Sequence, residues 1–192
     1  GTGRIELTGV DFSRLAPLLR ERLPLPPPAG VLEAKSNYRL SQEAGKPVLR
    51  LDGLTLALAN LQVRAGAAAD APKVDVERIE AAAGTLDLAT RQLAFERLTL
   101  SGNRVELPRP GGAPGAALSL RQIEIATPSV ELEALRISAA SLAFNDNRLS
   151  FPPAGKTPGP AIEVKRVSLA APKVDLTEHR ATVDALRVEG GQ

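Results

Sequence analysis

A chain of 192 residues is long enough for one domain with a real core, and its 43% hydrophobic content is ordinary for a globular protein. Its 24 Lys and Arg against 22 Asp and Glu leave a net charge of +2, with both signs interspersed, and aromatics make up 3%. Those values exclude a strong basic footprint for nucleic acid and aromatic platforms for base stacking, so no nucleic-acid partner is expected. The chain has no Cys, which rules out disulfides and thiolate chemistry; that fits an envelope or secreted protein and is compatible with the cytosol too. No apolar run approaches the ~18 residues of a membrane helix, and no N-terminal stretch reads as a signal peptide. Methionine is absent as well. The chain is therefore expected to be one fragment of a longer protein, touching a membrane only through an anchor outside this segment.

Residues 1–30 read as an N-terminal strand, a helix and a Pro-rich link. Ile5 and Leu7 alternate within an extended stretch from Gly1 to Val10. From Asp11 to Leu23 the pattern turns helical, with Phe12, Leu15, Leu18, Leu19 and Leu23 forming one stripe and Asp11 or Ser13 as cap. Pro17 fits the first turn if Ser13 caps, and Pro24 with Pro26-Pro27-Pro28 ends the helix.

Residues 31–192 read as β. Apolar residues alternate in pairs such as Leu49/Leu51, Leu86/Leu88, Leu98/Leu100 and Val105/Leu107, the period of a strand with one apolar face. Between pairs the phase often flips, as from Phe95 to Leu98. A flip of this kind is expected to mark an extra residue, a β-bulge, and hence a twisted, curved sheet.

Sliding the sequence by 44 aligns residues 61–104, 105–148 and 149–192 without a gap, and 105–148 matches 149–192 at 11 of 44 positions. Gly84-Thr85-Leu86-Asp87-Leu88, Pro128-Ser129-Val130-Glu131-Leu132 and Pro172-Lys173-Val174-Asp175-Leu176 stack as one motif, and Leu98, Leu142 and Leu186 coincide. Each repeat is expected to hold two long strands, about 118–132 and 136–151 in the middle copy, with Pro/Gly loops at 108–116 and 152–160. The fold class is thus mainly β (α+β): a long, curved antiparallel meander of hairpin repeats with one short N-terminal helix, about eight long strands in a quasi-linear array. Pro128, Pro172 and Gly84 fall at one repeat position inside apolar strand patterns and are read as a built-in kink, with a plain hairpin turn as the alternative.

Few residues carry chemistry. Gly155-Lys156-Thr157 imitates the end of a phosphate loop, but Ser150 stands where the first Gly is needed and Pro158-Gly159-Pro160 forbids a following helix. His179 is the sole histidine and is expected at an exposed turn, equivalent to Arg91 and Leu135. The repeat-equivalent acids Asp87, Glu131 and Asp175 lie two strands apart, ~10 Å, too far for one calcium ion. Glu131/Glu133 and Asp75/Glu77 could pair for acid–base work, yet nothing supplies a cleft, and solvated strand faces are expected. No catalytic residue, metal site or cofactor is assigned, and no enzyme activity is expected.

The face itself is the candidate site. Eight strands ~50 Å long give about 1,700 Å², whereas the expected helix covers about 200 Å². The sheet is expected either to pack on itself around a filled core or to leave a channel for acyl chains. Leu88, Leu98, Leu132, Leu142, Leu176 and Leu186 are the candidate lining in either case. The filled-core form would serve as a structural scaffold or protein-interaction module. Open edge strands make self-association of the fragment an expected partner interaction.

Across its length the chain resembles the AsmA-like, or repeating-β-groove (bridge-like), bacterial envelope proteins, within them the large, poorly characterised subgroup. The likeness is carried by the Pro-containing helix Asp11 to Leu23, the link to Gly30-Val31-Leu32, and Leu54-Thr55-Leu56 with Leu61 and Val63. It continues through Leu86-Asp87-Leu88, Arg91-Gln92-Leu93, Leu98-Thr99-Leu100, Gly102 and Val105-Glu106-Leu107. Pro110-Gly111-Gly112 stands where the family often has an Asp-Gly turn. The resemblance implies a periplasmic location, a parent chain anchored in the inner membrane of a Gram-negative bacterium, and a role in lipid transfer or outer-membrane homeostasis. Its implied partners are lipid acyl chains and neighbouring repeats of the parent chain.

Overall fold

The computed structural model describes residues 1–11, 14, 29–43, 46–66, 68, 70–109, 113, 115–153 and 159–191. They form one open antiparallel sheet of 14 strands. The first four strands are long: β1 (Thr2–Asp11), β2 (Ala29–Glu43), β3 (Lys46–Arg64) and β4 (Lys73–Asp87). The others come in two pieces per crossing. They are β5 (Gln92–Ala94) with β6 (Arg97–Leu107), β7 (Ala116–Ala126) with β8 (Ser129–Glu131), and β9 (Arg136–Ser138) with β10 (Ser141–Ser150). β11 (Ala161–Ala170) with β12 (Lys173–Asp175) and β13 (Arg180–Thr182) with β14 (Ala185–Gly191) follow. Four unbroken strands and five broken ones make nine crossings of one meander. The long pieces run β1-β2-β3-β4-β6-β7-β10-β11-β14, and the short pieces continue from β4 as β5-β8-β9-β12-β13.

The expected middle hairpin is present. Leu118 pairs with Leu149, Ile125 with Leu142 and Val130 with Ile137, so 118–132 and 136–151 are partners. The N-terminal strand joins the same sheet through β2. The expected helix from Asp11 to Leu23 lies outside the described residues apart from Asp11, which ends β1, and Arg14. Among the described residues there is no α-helix, and none long and apolar enough to cross a membrane.

The 44-residue period is written into the backbone. Ala83, Thr127 and Ala171 have φ of 51, 46 and 45°, and Arg91, Leu135 and His179 have 53, 50 and 51°. Gly102, Asp146 and Gly190 have 62, 51 and 61°. The first set marks a kink, the second closes the hairpin turns and the third interrupts the long ladders. Left-handed backbone costs a non-glycine residue about 1–2 kcal/mol, so its return at the same places shows that the surrounding ladders impose it.

At the kink the chain does not turn back: β7 continues into β8 through Thr127-Pro128, and β11 into β12 through Ala171-Pro172. Proline has no N–H, and here its carbonyl does the bonding. The amide of Phe95 donates to Pro128 O (2.9 Å) and that of Ala139 to Pro172 O (3.1 Å), while Thr127 and Ala171 donate to Glu96 O and Ala140 O (both 2.9 Å).

The phase flips, however, do not each carry an extra residue. From Ala94↔Thr85 to Arg97↔Ala82 both strands advance three residues, and from Asn145↔Gln122 to Asn147↔Leu120 both advance two. A left-handed residue re-aims the chain without lengthening either strand, so the register is kept. True bulges lie in the first four strands. Thr8 and Gly9 oppose Glu33 alone, Gly53 and Leu54 oppose Ser36, and Asn60 and Leu61 oppose Gly30. Gly53 and Asn60 take φ of 62 and 55° there, as a bulge with a left-handed first residue requires, and Gly9 takes 62° as the second residue of its pair.

Among the described residues no filled core lies under the sheet. The buried apolar side chains among the described residues are Val48, Leu54, Val76, Ala81 and Ala143. The described strands form neither of the two expected arrangements, a sheet packed on itself or a groove-like channel left by curling: they make an open sheet.

One close contact makes the kink testable. The Phe95 ring occupies the place where a Cβ on Gly84 would stand. The next repeat has Pro128 and Ala139 at these positions, so bulk moves from one strand to the other. Gly84→Ala should cost about 1–3 kcal/mol by overpacking, measured by urea denaturation, and Gly84→Ala with Phe95→Ala should recover part of it.

Candidate ligand-binding face

Register turns scattered apolar pairs into rows that cross the whole sheet. Leu7, Ala34, Leu56, Ala81, Leu98, Ile125, Leu142, Leu169 and Leu186 are successive partners on nine crossings. Two residues along each strand from β2 to β14 runs a second row: Val10, Leu32, Leu58, Ile79, Leu100, Ile123, Phe144, Val167 and Val188. Period two puts both rows on one face. The row between them carries Glu33, Glu80, Thr99, Glu124, Ser168 and Arg187 on the opposite face. Beyond the kink a third row joins Tyr38, Leu51, Leu86, Leu93, Val130, Ile137, Val174 and Ala181. The Tyr38 ring lies over Gly3, whose Cβ position is 2.6 Å from Tyr38 Cε1.

The six candidate leucines divide between two places. Leu98, Leu142 and Leu186 lie in the first row, as their repeat spacing demands. Leu132 and Leu176 follow the short strands β8 and β12, and Leu88 follows the end of β4, into the hairpin turns, where they are exposed, and the amides of Leu88, Leu132 and Leu176 donate to Leu49 O (3.2 Å), Arg91 O (2.8 Å) and Leu135 O (3.2 Å). The two sets are separated by the kink. The sequence reading missed Ile123, Ile125, Phe144, Val167 and Leu169, whose signal was the spacing 2, 3, 2 in Leu118, Leu120, Ile123 and Ile125.

Two asparagines hold the sheet together at the ladder interruptions. Asn103 Nδ2 donates to Leu100 O (3.1 Å) and Leu120 O (3.0 Å), and one repeat later Asn147 Nδ2 donates to Phe144 O (3.0 Å) and Val164 O (3.1 Å). Each amide thus ties its own strand to the next beside a left-handed residue. Both side chains are buried, at 5% and 9% exposure, and the Oδ1 of each has no protein partner. A recess of about 770 Å³ opens at this level, lined by Asn103, Leu120, Arg121, Asp146, Val164 and Lys165 among others.

The other singled-out residues have structural work. Asp87 Oδ1 accepts from the amides of Ala89 (2.8 Å) and Thr90 (3.2 Å), and Asp175 Oδ1 from Thr177 (3.0 Å) and Glu178 (2.9 Å). These acids close the turns, and their second oxygens meet Arg50 (2.9 Å) and Arg136 (2.8 Å). The Thr90 amide leads in holding the Asp87 carboxyl below its ordinary value, with the Ala89 amide and Arg50 adding to it. For Asp175 the Arg136 guanidinium leads, followed by the Glu178 amide. His179 sits exposed in the last turn, equivalent to Arg91 and Leu135. Glu133 is in a turn, where it meets Arg91 at 3.0 Å, so it does not share a strand face with Glu131 as expected from alternation. Asp75 is held by Lys73 at 2.8 Å, and Glu77 reaches across Gly102. Gly155-Lys156-Thr157 lies outside the described residues. Among the described residues no cluster of His, Asp and Glu could hold a metal ion.

No protein-family model matches the chain, and no curated protein matches it.

Two measurements check this account. Asn147→Ala leaves two carbonyls without their side-chain donor and should destabilise by about 1–3 kcal/mol in urea. Because the folded carboxyls of Asp87 and Asp175 titrate below their ordinary value of 3.8, their contribution is full above that value and is lost as the pH falls through the depressed folded value. The double variant Asp87→Asn, Asp175→Asn should therefore show a flatter fall of melting temperature on the acid side than wild type.

Proposed function

We propose that the apolar face of the sheet receives lipid acyl chains, and that the chain is a non-enzymatic segment of a large cell-envelope protein. On this reading it serves lipid transfer or outer-membrane homeostasis in the periplasm of a Gram-negative bacterium. The observation that carries the first half is the pair of unbroken apolar rows spanning nine crossings, with no filled core beneath them among the described residues. Nine crossings at ~4.8 Å make rows about 38 Å long. Apolar area of that extent is a binding surface in most proteins that display it. The second half rests on the resemblance to AsmA-like envelope proteins. The rival reading, a scaffold with a filled core, would need far more buried apolar side chains than the described residues supply.

Leu142, half-buried between Ile125 and Leu169, is the position to test. The wild-type chain isolated from cell envelopes should carry acyl-containing molecules in a native mass spectrum. Leu142→Asp should lose them while keeping its strand circular dichroism, because an open face leaves the carboxylate in water. Unfolding of Leu142→Asp, together with a wild-type chain free of lipid, would sink the proposal, since that is how a packed core behaves.

A further inference from the structure

The two apolar rows make a band only two side chains wide on each inner strand. Left-handed residues bound it on both sides: Ala83, Thr127 and Ala171 at the kink, Gly102 and Asp146 at the interruption. The strands bend at both levels, so a straight hydrocarbon chain keeps contact only by lying across the strands. It then runs between the row of Leu98 and Leu142 and the row of Leu100 and Phe144, which stand about 7 Å apart along each strand. The two borders of the band differ in charge. Glu96 and Asp184, both exposed, stand at the kink. At the interruption the ladder skips Arg121 on β7 and Lys165 on β11, which are one repeat apart: Asn145 pairs with Gln122 and Arg166, and Asn147 with Leu120 and Val164. Both cations line the recess of about 770 Å³, together with Arg104, Arg148, Asp146 and Glu163. Arg148 is held by Glu163 at 3.0 Å and Arg104 by Glu106 at 2.8 Å. Arg121 meets Asp146 only at 3.7 Å, with its side chain 82% exposed, and Lys165 makes no ion pair among the described residues. Asp146, on the strand between them, offsets one of these two charges.

Resting on the acyl-chain reading above, we infer that the face selects lipids with an anionic phosphate headgroup. The acyl chain lies crosswise in the band. The headgroup rests at the recess, beside Arg121 and Lys165 and away from Glu96 and Asp184. A zwitterionic headgroup gains less there, because its own cation meets the same two side chains. Glu77 is the counterpart of Arg121 one repeat earlier and carries the opposite sign; it lies across Gly102, so the cationic border begins at β7. Both cations are exposed, and charge pairs in water are weak. The selection is therefore a preference of several-fold, and apolar contact supplies the bulk of the binding.

The test offers the chain vesicles of equal phosphatidylglycerol and phosphatidylcholine with identical acyl chains, and counts the lipids it carries away by native mass spectrometry. Phosphatidylglycerol should be carried in about fivefold excess. The double variant Arg121→Gln, Lys165→Gln should bring the ratio close to one while total lipid and strand circular dichroism stay as in wild type. Asp146→Asn, a change that left-handed backbone tolerates, should raise the ratio. Arg39→Gln with Arg97→Gln removes the same charge away from the recess and should leave the ratio alone. A wild-type ratio near one, a ratio unmoved by the double variant, an equal loss in the Arg39, Arg97 control or a fall in Asp146→Asn overturns the selection and leaves the acyl-chain reading standing. A chain that carries neither lipid overturns both.

Discussion

Everything in this sheet depends on the register of the antiparallel ladders. Each strand must change the direction of its side chains part-way along, at the kink and again at the interruption near Gly102, Asp146 and Gly190. Paired strands can do so together only if both spend the same number of residues. In the repeats they do, three against three at the kink and two against two at the interruption. Pairing therefore resumes in register on the far side, and an apolar residue again meets an apolar residue. A slip of one residue would turn every side chain of that strand to the other face.

Holding that arrangement requires unusual local chemistry, repeated every 44 residues. Left-handed residues make the bends, although only Gly102 and Gly190 among the repeat positions are free of the Cβ penalty. Asn103 and Asn147 bond carbonyls on two strands where the ladder is broken, Pro128 and Pro172 give their carbonyls to the neighbouring strand, and Asp87 and Asp175 close their turns. These groups are local, so each crossing can be built against the one before it. The first four strands solve the same problem differently, with true bulges at Gly9, Gly53 and Asn60. That difference explains why the repeat is clear from residue 61 onward and only partial before it.

The consequence for function is an apolar surface with no filled apolar core among the described residues. A compact domain hides such rows against a second layer. Here the described residues provide one layer, with charged and small side chains on the opposite face. The Leu, Ile and Val rows shield one another sideways and remain half-exposed above. Such a surface suits ligands or partners with length but little shape.

The residues alone determined the strand class, the 44-residue period, the extent of the middle hairpin and the position of the kink. Each of these is a matter of spacing along one chain: period two in Leu98/Leu100, identity at Leu98, Leu142 and Leu186, proline recurring at 128 and 172. The grouping of the six leucines was not decided by the chain itself, because Leu132 and Leu142 are both apolar residues of one hairpin and differ only in which side of the kink they fall. The meaning of the phase flips was likewise undecided, since a flip read on one strand looks the same whether or not its partner flips too. Only pairing across strands shows that both flip together, that Asn103 and Asn147 bind carbonyls on a neighbour, and that nine separate apolar pairs line up as two continuous rows. Those are relations between residues far apart in the chain, and the hydrogen-bonded register of the folded sheet is what creates them.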